Sequence, residues 1–524
     1  MKLLEISNRK TSLGNTVRRR QRAWQLISIL LSLTLIVLAV GGTANIAYAA
    51  RALAASVGDA VSTFAYTQNM HPLGFSGKEI PLDNTVPGQG LFNSDLAFWG
   101  SLAFQGNYEG FRIIDVSAPA NPVEILNYKD CSPGSTLGNQ GDIIVWGNIL
   151  VRSWNSNTTN PAASCDGDPV ALGFEGLHVF DISNPLDPDL VASVDLPQGS
   201  HTATGVPDLA NNRLLVYNSA SSIFNTGIDI VEVPLGAPEN AAFVRFEPAG
   251  RSCHDTSVIL GQVNLVACAG GNGFTVWSFD PSIAPPAVGS FEDPIQLYSR
   301  MITDVTIGHS ASFTWDGNVL IFGHEPGGGG QAQCQSTSTV TNRSLFFFKA
   351  SDGTLLGTFV HPKAQTNLEN CTWHNFNVVP SNKRYVLVAG NYQSGISVVE
   401  FTNPASAFEI AYADPAPLVN PNNPAALELG GDWSTYWYNG RIYESDITRG
   451  LIIWNLSDNI VAGAMNFDHL NPQTQEVSFP FKGTAFGTYK GAANQQGFVV
   501  FGESAPDDGS GGGGGEDFGG EGDH

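Results

Sequence analysis

One pattern of hydrophobic and polar positions occurs seven times along the chain. Each copy begins with a small residue, continues with apolar residues around one variable position, and ends with a polar residue. The copies are residues 110–115, 176–181, 227–232, 273–278, 344–349, 395–400 and 450–455. Their starts lie 46 to 71 residues apart, a spacing typical of four-stranded propeller blades with their loops. The pattern therefore predicts a strand that recurs once in each unit of a repeat protein.

The sequence around the pattern predicts three further strands in each unit. Residues 434–444 have the pattern of two strands around an Asn-Gly turn, and residues 309–324 of two strands around an Asp-Gly turn. After the first two copies, a proline-rich turn leads to apolar stretches at 123–126 and 190–194. The predicted fold class is therefore all-β, a single seven-bladed β-propeller of four-stranded antiparallel blades.

The first two copies have an additional signature. In residues 110–122 and 176–188 the apolar strand ends in Asp and is followed by a turn of the form Ser-x-Pro-x-x-Pro. These stretches resemble the LVIVD repeat. The resemblance implies a β-propeller, since proteins of that family are predicted or seen as propellers, often exported and mostly without an assigned activity. It is specific for about residues 90–200 and extends more weakly to about residue 460.

The N-terminal region has the features of an export signal. Seven basic residues precede an uncharged stretch that is richest in Leu, Ile and Val between residues 26 and 40. Ala47-Tyr48-Ala49 follows as a small-x-small cleavage signature. Residues 1–49 are therefore predicted to be a signal peptide, or a signal anchor in which residues 24–42 tether an uncut chain to a membrane. In both cases the rest of the chain is predicted to be extracytoplasmic, secreted or at the cell surface.

The remaining boundaries follow from the repeat and from composition. Residues 50–63 are predicted to be a linker and residues 64–505 the propeller. Residues 506–524 consist largely of Gly and acidic residues, which predicts a disordered tail. Two segments compete to close the circle of blades: residues 64–79 as an outer strand added to the last blade, and residues 461–467.

Charge and cysteine content restrict the possible partners and the compartment of the protein. The formal net charge is −23, with only 25 Lys and Arg residues, which argues against a nucleic-acid partner. Six cysteines suit an oxidising compartment. The repeat favours sequential disulfides, and Cys253 and Cys268 are predicted to be cross-strand neighbours around a turn at residues 260–261. The predicted pairs are Cys131–Cys165, Cys253–Cys268 and Cys334–Cys371.

Histidines are the candidate chemical groups. His201, His254, His309 and His374 occupy the same register, at the start of the first strand in blades three to six. His324 is predicted to lie opposite His309 across the Asp-Gly turn, and Asp255, Glu325 and Asp432 could support the imidazoles. Imidazole with carboxylate is a donor set for transition metals such as zinc or copper. The alternative is that these histidines are structural and bond to the backbone of neighbouring blades.

Two functions are compatible with these patterns. The first is an exported or cell-surface binding module that uses its disulfide-pinned loop face to hold a protein, glycan or small-molecule ligand. The second is an extracytoplasmic metalloenzyme, an oxidoreductase or hydrolase, with a metal bound by His201, His254, His309, His324 and His374. The sequence indicates no nucleophile or other catalytic residue and no organic cofactor.

Overall fold

The structure is a computed structural model that describes residues 56–78, 92–132, 139–220, 224–261, 263–279, 289–381, 384–419 and 423–476. The predicted leader (1–49) and tail (506–524) lie outside the described residues, so both stay predictions. Within the described parts of the chain, no helix is long and apolar enough to span a membrane.

The regular secondary structure of the described residues is almost entirely β-strand. The one α-helix among them, α1 (Val57–Ala60), lies in the predicted linker, and Ser56 and Asp59 form a capping box at its start. Two strands follow, β1 (Phe64–Tyr66) and β2 (Met70–Gly77). Short 3-10 helices occur at Leu209–Asn211, Pro238–Asn240, Thr341–Arg343, Pro404–Ser406 and Asn459–Val461. The all-β prediction is confirmed.

The next strands follow in chain order. They are β3 (Asn93–Trp99), β4 (Leu102–Asn107), β5 (Gly110–Asp115), β6 (Val123–Tyr128), β7 (Cys131–Ser132), β8 (Ile143–Trp146), β9 (Ile149–Trp154), β10 (Ser164–Cys165), β11 (Asp168–Pro169), β12 (Gly176–Asp181), β13 (Asp189–Asp195), β14 (Ala203–Asp208), β15 (Arg213–Ser219), β16 (Gly227–Pro234) and β17 (Ala242–Pro248).

The later strands complete the set. They are β18 (Asp255–Leu260), β19 (Leu265–Gly270), β20 (Gly273–Ser278), β21 (Ile295–Met301), β22 (Gly308–Phe313), β23 (Val319–His324), β24 (Ser344–Lys349), β25 (Leu355–Val360), β26 (Asn375–Val378), β27 (Val386–Gly390), β28 (Ile396–Glu400), β29 (Phe408–Pro415), β30 (Asp432–Tyr438), β31 (Arg441–Asp446), β32 (Gly450–Leu456), β33 (His469–Leu470) and β34 (Thr474–Glu476).

The strands pair into sheets that follow the chain. Sheet 1 has the order β33-β3-β4-β5-β6, sheet 2 β8-β9-β12-β13, sheet 3 β14-β15-β16-β17, and sheet 4 β34-β18-β19-β20-β21. Sheet 5 is β22-β23-β24-β25, sheet 6 β26-β27-β28-β29-β1, and sheet 7 β30-β31-β32-β2. Strands β7, β10 and β11 form a small separate sheet. All pairings are antiparallel except that of β18 with β34. Counted from β3, β8, β14, β18, β22, β26 and β30, each copy of the repeated pattern forms the third strand of its sheet.

The first strands of these sheets contact one another in a closed circle. The order of contact is β3, β8, β14, β18, β22, β26, β30 and β3 again. A closed circle of inner strands with the sheets extending outward is the arrangement of a β-propeller. The circle places the starts of all these strands around one end of a central channel, which is where the predicted histidines lie.

Steric contacts explain why the repeat begins with a small residue. A Cβ atom on Gly176 would lie 1.9 Å from the carbonyl oxygen of Val194 on the neighbouring outer strand. At Gly273 the same atom would lie 2.0 Å from the carbonyl oxygen of Arg300. The close approach of the third and fourth strands therefore requires glycine at these positions.

The N-terminal segment completes sheet 7. Strand β2 pairs antiparallel with β32, from Met70 opposite Leu456 to Gly77 opposite Gly450. Strand β1 pairs with β29 at the edge of sheet 6. Of the two predicted closures, the structure therefore has the one that uses residues 64–79. Residues 461–467 do not form a strand.

A segment after the last sheet enters the channel, which the sequence did not predict. Residues 469–476 form β33 against β3 and β34 against β18. The side-chain amide of Asn471 donates to the carbonyl oxygen of Val145 at 2.8 Å, and that of Gln475 donates to the carbonyl oxygen of Phe313 at 2.8 Å. Thr474 Oγ1 also donates to the carbonyl oxygen of Gly205 at 2.9 Å. The segment therefore lies at the centre of the circle and touches the inner strands of sheets 1 to 5.

Candidate functional site

A cavity of about 450 Å³ lies at the end of the channel where the inner strands begin. Four histidines and four carboxylic acids line it, and none of its described lining residues is Lys or Arg. Its walls also include Tyr392 and Trp433. The cavity is therefore rich in metal-ligating and acidic groups, with no fixed cation to balance them.

The four lining histidines are His201, His254, His309 and His374, and their imidazoles form a continuous row. The centroids of successive rings are 4.4, 3.8 and 4.3 Å apart. Each histidine comes from the start of the inner strand of sheets 3 to 6. Neighbouring sheets of the circle thus bring together residues that are 53 to 65 positions apart in sequence, as the repeat register predicts.

Hydrogen bonds define the tautomers of the first two histidines of the row. The Nδ1 atom of His201 lies 2.7 Å from the Asn155 Oδ1 acceptor, so it carries the proton, and its Nε2 accepts from the Nε2 of His254 at 2.8 Å. His254 Nδ1 then has a lone pair, and it is buried without a hydrogen-bond partner. A buried nitrogen lone pair without a donor is a free metal-ligand position.

The next histidine also keeps a lone pair. The hydroxyl of Ser310 donates to Asp255 Oδ2 at 2.8 Å, so the Nδ1–H of His309 donates to Ser310 Oγ at 2.7 Å. The Nε2 of His309 is left as an acceptor and lies 3.8 Å from Glu325 Oε2. The His374 Nδ1 atom donates to the carbonyl oxygen of Trp433 at 2.5 Å, which likewise leaves its Nε2 free.

Burial keeps these imidazoles neutral. It lowers the pKa of His201 to about 4 and that of His374 to about 3. The pKa values of His254 and His309 lie well below the usual range because burial and the neighbouring imidazoles both disfavour a charge. Neutral imidazole is the form that binds metals, so the row is ready to bind at neutral pH.

Glu325 is the carboxylate next to the row. The hydroxyl of Tyr392 donates to its Oε1 at 2.7 Å, while Oε2 faces His309. Burial raises the pKa of Glu325 to about 7. Ligand atoms of His254, His309 and Glu325 all lie within 4.8 Å of one another. This is the most compact set of metal donors in the cavity.

His324 does not join the row. The backbone amide of Thr306 donates to its Nε2 at 3.2 Å, and His324 is not among the residues that line the cavity. A β-bulge between Gly308 and Ala311 places Gly308 opposite His324, so the predicted pairing of His309 with His324 is wrong. Beyond the bulge, from Ala311 opposite Phe322, the register is as predicted.

Of the three proposed supporting carboxylates, two line the cavity. Asp255 and Glu325 do so, but Asp432 does not. The side chain of Asp432 accepts from Thr435 Oγ1 at 3.2 Å within sheet 7, and Trp433 occupies the cavity wall at this register instead. The indole of Trp433 packs edge-on against His374.

Sequence reasoning missed the other side of the cavity, which we call the floor: Asp95, Asp142, Asp255 and Gln473. Asp95 Oδ2 accepts from Asn375 Nδ2 at 3.1 Å, and Asp142 Oδ2 accepts from the amide of Ala203 at 2.7 Å. The three aspartates come one position after the histidine register, in sheets 1, 2 and 4. An alignment of the inner strands with one another could have identified these aspartates. Gln473 lies outside the repeat, so no sequence pattern pointed to it.

Burial dominates the protonation of the floor. It raises the pKa of Asp95, raises that of Asp142 well above the usual range, and raises that of Asp255 to about 7. The neighbouring carboxylates raise the pKa values of Asp142 and Asp255 further, since like charges in a low-dielectric site disfavour ionisation. The floor carboxyl groups therefore hold their protons more tightly than exposed carboxyl groups do.

All six cysteines form the predicted disulfides. The bonds join Cys131 to Cys165, Cys253 to Cys268, and Cys334 to Cys371. The reason given for the second bond is wrong, because Cys268 lies opposite Thr256 and Cys253 precedes the strand. Three disulfides suit an oxidising environment. Cys253 lines the cavity beside His254.

Comparison with known proteins supports the fold. Residues 95–130 and 170–196 match the LVIVD repeat family, which confirms the resemblance seen in the first two copies. No curated protein matches the chain. The chain is thus similar to a known repeat in sheets 1 and 2. Sheets 3 to 6, which supply the histidine row, lie outside the matched residues.

Among solved structures, three illustrate the similarity. The computationally designed protein Ika8 is 8% identical, with 72% of this chain and 100% of that chain covered and a TM-score of 0.39. The β-propeller domain of Cps50 (Swd1) from Myceliophteria thermophila is 11% identical, with coverages of 70% and 100% and a TM-score of 0.41. A putative 6-phosphogluconolactonase from Bacteroides fragilis is 10% identical, with coverages of 74% and 98% and a TM-score of 0.39. Similarities of this size say nothing about function.

Proposed function

We propose that this protein is an exported seven-bladed β-propeller, with four-stranded blades, that binds a divalent transition-metal ion in the cavity at one end of its channel. The circle of inner strands and the completion of sheet 7 by β2 support the blade count. The leader pattern and the three disulfides support export. The metal would be bound by His254, His309 and Glu325.

The convergence of those three donors carries the proposal. Their ligand atoms lie within 4.8 Å of one another, and zinc bonds to nitrogen and oxygen of about 2.0–2.2 Å need only a small closing movement. His254 Nδ1 has no hydrogen-bond partner, which fits a bond to a metal. Two imidazoles and one carboxylate suit zinc, and also copper or iron.

The metal would make the cavity a ligand-binding site. Three protein ligands leave at least one coordination position open, and the cavity of about 450 Å³ next to it has room for a small molecule. The same open position supports a second candidate function, a metal-dependent hydrolase or oxidoreductase. In both cases His201 and His374 would flank the metal and orient the occupant.

Zinc titration of the EDTA-treated protein by isothermal calorimetry tests this proposal. We expect one zinc ion per chain, and a loss of affinity of about 100-fold or more in His309→Ala and in Glu325→Gln, since each loses one of three ligands. His71→Ala is the matched control, because His71 is exposed on the outer strand β2 and its ring bonds to Ser457, away from the cavity. Copper is titrated in parallel.

Two results would contradict the proposal. One is the absence of stoichiometric zinc or copper binding to the folded wild-type protein. The other is equal affinity in wild type, His309→Ala and Glu325→Gln, which would mean that the ion binds elsewhere. Unfolding midpoints of all variants distinguish loss of the site from loss of the fold.

A further inference from the structure

A second pocket, with a volume of about 400 Å³, lies beside the outer strand of sheet 2. Its lining residues come from β13, from β12 and from the long loop of residues 155–175, which joins β9 to β12. It shares no described lining residue with the cavity that holds the histidine row. A volume of roughly 300–1,000 Å³ is typical of ligand pockets, so this pocket is a separate candidate site.

The loop that forms one wall of the pocket is fixed to the fold. A disulfide bond joins Cys165 in the loop to Cys131. The carboxylate of Asp166 accepts from the hydroxyl of Tyr128 at 3.1 Å and from the backbone amide of Leu190 at 3.1 Å. The wall is therefore formed before any ligand arrives, and a partner would not have to order it.

The pocket wall is mainly apolar, and part of it is uncovered. The apolar side chains that line it are Pro169, Val170, Ala171, Phe174, Leu190, Val191 and Ala192. Pro169 and Ala171 are exposed, and the adjacent Leu172 is 64% exposed. The loop thus presents a short run of apolar residues to solvent. Exposed apolar groups at the rim of a pocket mark an interaction site.

One side of the pocket is the edge of a β-strand. Strand β13 is the last strand of sheet 2, and no strand among the described residues pairs with its outer edge. The bond from the Leu190 amide to Asp166 occupies the start of this edge. From Ala192 to Asp195, β13 pairs with β12 without a bulge, so its outer edge is regular there. A regular free edge can take an extended peptide as a further strand.

Accessible carboxylates determine which peptide fits. Asp168 and Asp195 line the pocket, and both residues are exposed. None of the described lining residues is Lys or Arg, and the chain as a whole has a formal net charge of −23. A peptide with basic side chains would therefore be attracted to this edge, and an acidic peptide would be repelled.

We propose that the pocket beside β13 binds an extended segment of a partner protein, which pairs with β13 as an added strand. The backbone of the segment would hydrogen-bond to residues 192–195, and one of its apolar side chains would enter the pocket and contact Phe174 and Val191. Lys or Arg side chains of the segment would face Asp168 and Asp195. This site does not depend on a metal ion.

Fluorescence anisotropy with a labelled peptide tests the proposal. The probe is the acetylated and amidated peptide Lys-Val-Lys-Val-Lys-Val-Lys, which alternates basic and apolar side chains. We expect it to bind about tenfold or more tightly than the same peptide with Glu in place of Lys, because the aspartates repel acidic side chains. N-methylation of its backbone amides should weaken binding about tenfold or more, since it removes the donors that pair with a strand edge.

Two variants of the loop separate this pocket from the charge of the whole protein. Ala171→Arg places a bulky cation at the pocket and should weaken peptide binding about tenfold or more. The matched control Ala162→Arg adds the same charge at an exposed position of the same loop that does not line the pocket, so it should bind nearly as wild type does. Asp168→Asn should weaken binding several-fold. Unfolding midpoints check that each variant is folded.

Four results would overturn the proposal. The first two are equal binding of the Lys and Glu peptides, and equal binding of the N-methylated peptide. The third is the same loss in Ala171→Arg and Ala162→Arg, which would mean that overall charge rather than the pocket attracts the peptide. The fourth is displacement of the peptide by an equal concentration of hexylammonium, which would make the pocket a small-molecule site. EDTA treatment should leave peptide binding unchanged, so zinc binding and peptide binding can each fail without the other.

Discussion

Two groups of three carboxyl side chains are buried in this protein, and they differ in their partners. The floor aspartates are Asp95, Asp142 and Asp255, and the second group, the sheet 7 cluster, is Asp432, Glu444 and Asp446. All six are less than 7% exposed. The ligand atoms of the sheet 7 cluster lie within 4.8 Å of one another, so by proximity alone it would be the better cation site.

The sheet 7 cluster is satisfied by the protein itself. Arg449 Nη1 lies 2.7 Å from Asp446 Oδ2, and the indole N–H of Trp454 donates to Glu444 Oε2 at 2.6 Å. The Asp432 and Glu444 carboxyls interact. A proton that they share satisfies Asp432 Oδ1 and Glu444 Oε1, the two oxygens that no other protein donor reaches. The floor has no cation and opens onto a cavity. The comparison shows that two equally buried groups of carboxyl side chains can differ in whether the protein itself supplies a cation.

Removing the cation of the sheet 7 cluster should have the largest effect. Arg449→Met is expected to lower the free energy of unfolding by about 3–5 kcal/mol, because it leaves the buried Asp446 carboxylate without its partner. Urea unfolding measures the change. The control is Arg384→Met: Arg384 pairs with Glu400 at 3.1 Å, but its side chain is 54% exposed, so a loss of about 1 kcal/mol or less is expected.

An equal loss in Arg449→Met and Arg384→Met would contradict the comparison, since the sheet 7 cluster would then not depend on its internal cation. A further test is calcium. If calcium restores the stability of Arg449→Met, the sheet 7 cluster becomes a cation site once its own cation is gone.

The pH dependence of stability should report the proton on Glu444 in sheet 7, which is lost before the proton on Asp432. Burial raises the pKa of Glu444 from 4.5 to about 7. The folded state therefore holds this proton more tightly than the unfolded state, so the stabilisation is fully present below pH 4.5 and is lost as the pH rises through about 7. The Glu444→Gln side chain cannot ionise, so the variant should lack about 3 kcal/mol of this pH-dependent loss of stability. Urea midpoints between pH 4.5 and pH 8 measure it, and an unchanged slope in the variant would contradict the assignment.

The smallest expected effect is that of removing the Ser310 hydroxyl, which bonds to His309 in the histidine row and to Asp255 on the floor. Ser310 accepts from His309 Nδ1 and donates to Asp255 Oδ2. Ser310→Ala should weaken zinc binding about tenfold with little change in unfolding, because His309 loses the partner that orients it. Ser312→Ala is the control, since Ser312 faces Gln475 deeper in the channel. Equal zinc affinities in the two variants would show that His309 needs no such support.

Much of the fold was predictable because it repeats. The seven apolar patterns each form the third strand counted from the inner strand of a sheet. The Asn-Gly and Asp-Gly turns lie between paired strands. Register within a hairpin was less predictable. The bulge at Gly308 moved His324 away from His309, and a longer turn after Leu260 separated Cys253 from the position opposite Cys268. Bulges and turn lengths depend on local backbone conformation that apolar periodicity does not report.

Only the histidine row of the candidate site was predictable from the sequence. Four histidines at one strand position identify the row, because neighbouring inner strands in a closed circle bring equivalent residues together. The floor depends on Gln473, which lies in a segment without a repeat, and on the tertiary contacts that take it into the channel. The small residue that begins each repeat, Gly in six copies and Ser344 in the fifth, was likewise visible in the sequence. The close carbonyl oxygen of the outer strand, which requires glycine at Gly176 and Gly273, was not.

The amino-acid sequence alone determined the repeat, the all-β class, the sequential disulfides and the row of histidines, since each depends on residue type at a regular spacing. The tertiary structure alone decided which histidine lone pairs are free, which carboxylates have partners, and what closes the channel. These depend on contacts between residues such as Gln473 and Asp255, 218 positions apart, and no local pattern encodes such a contact.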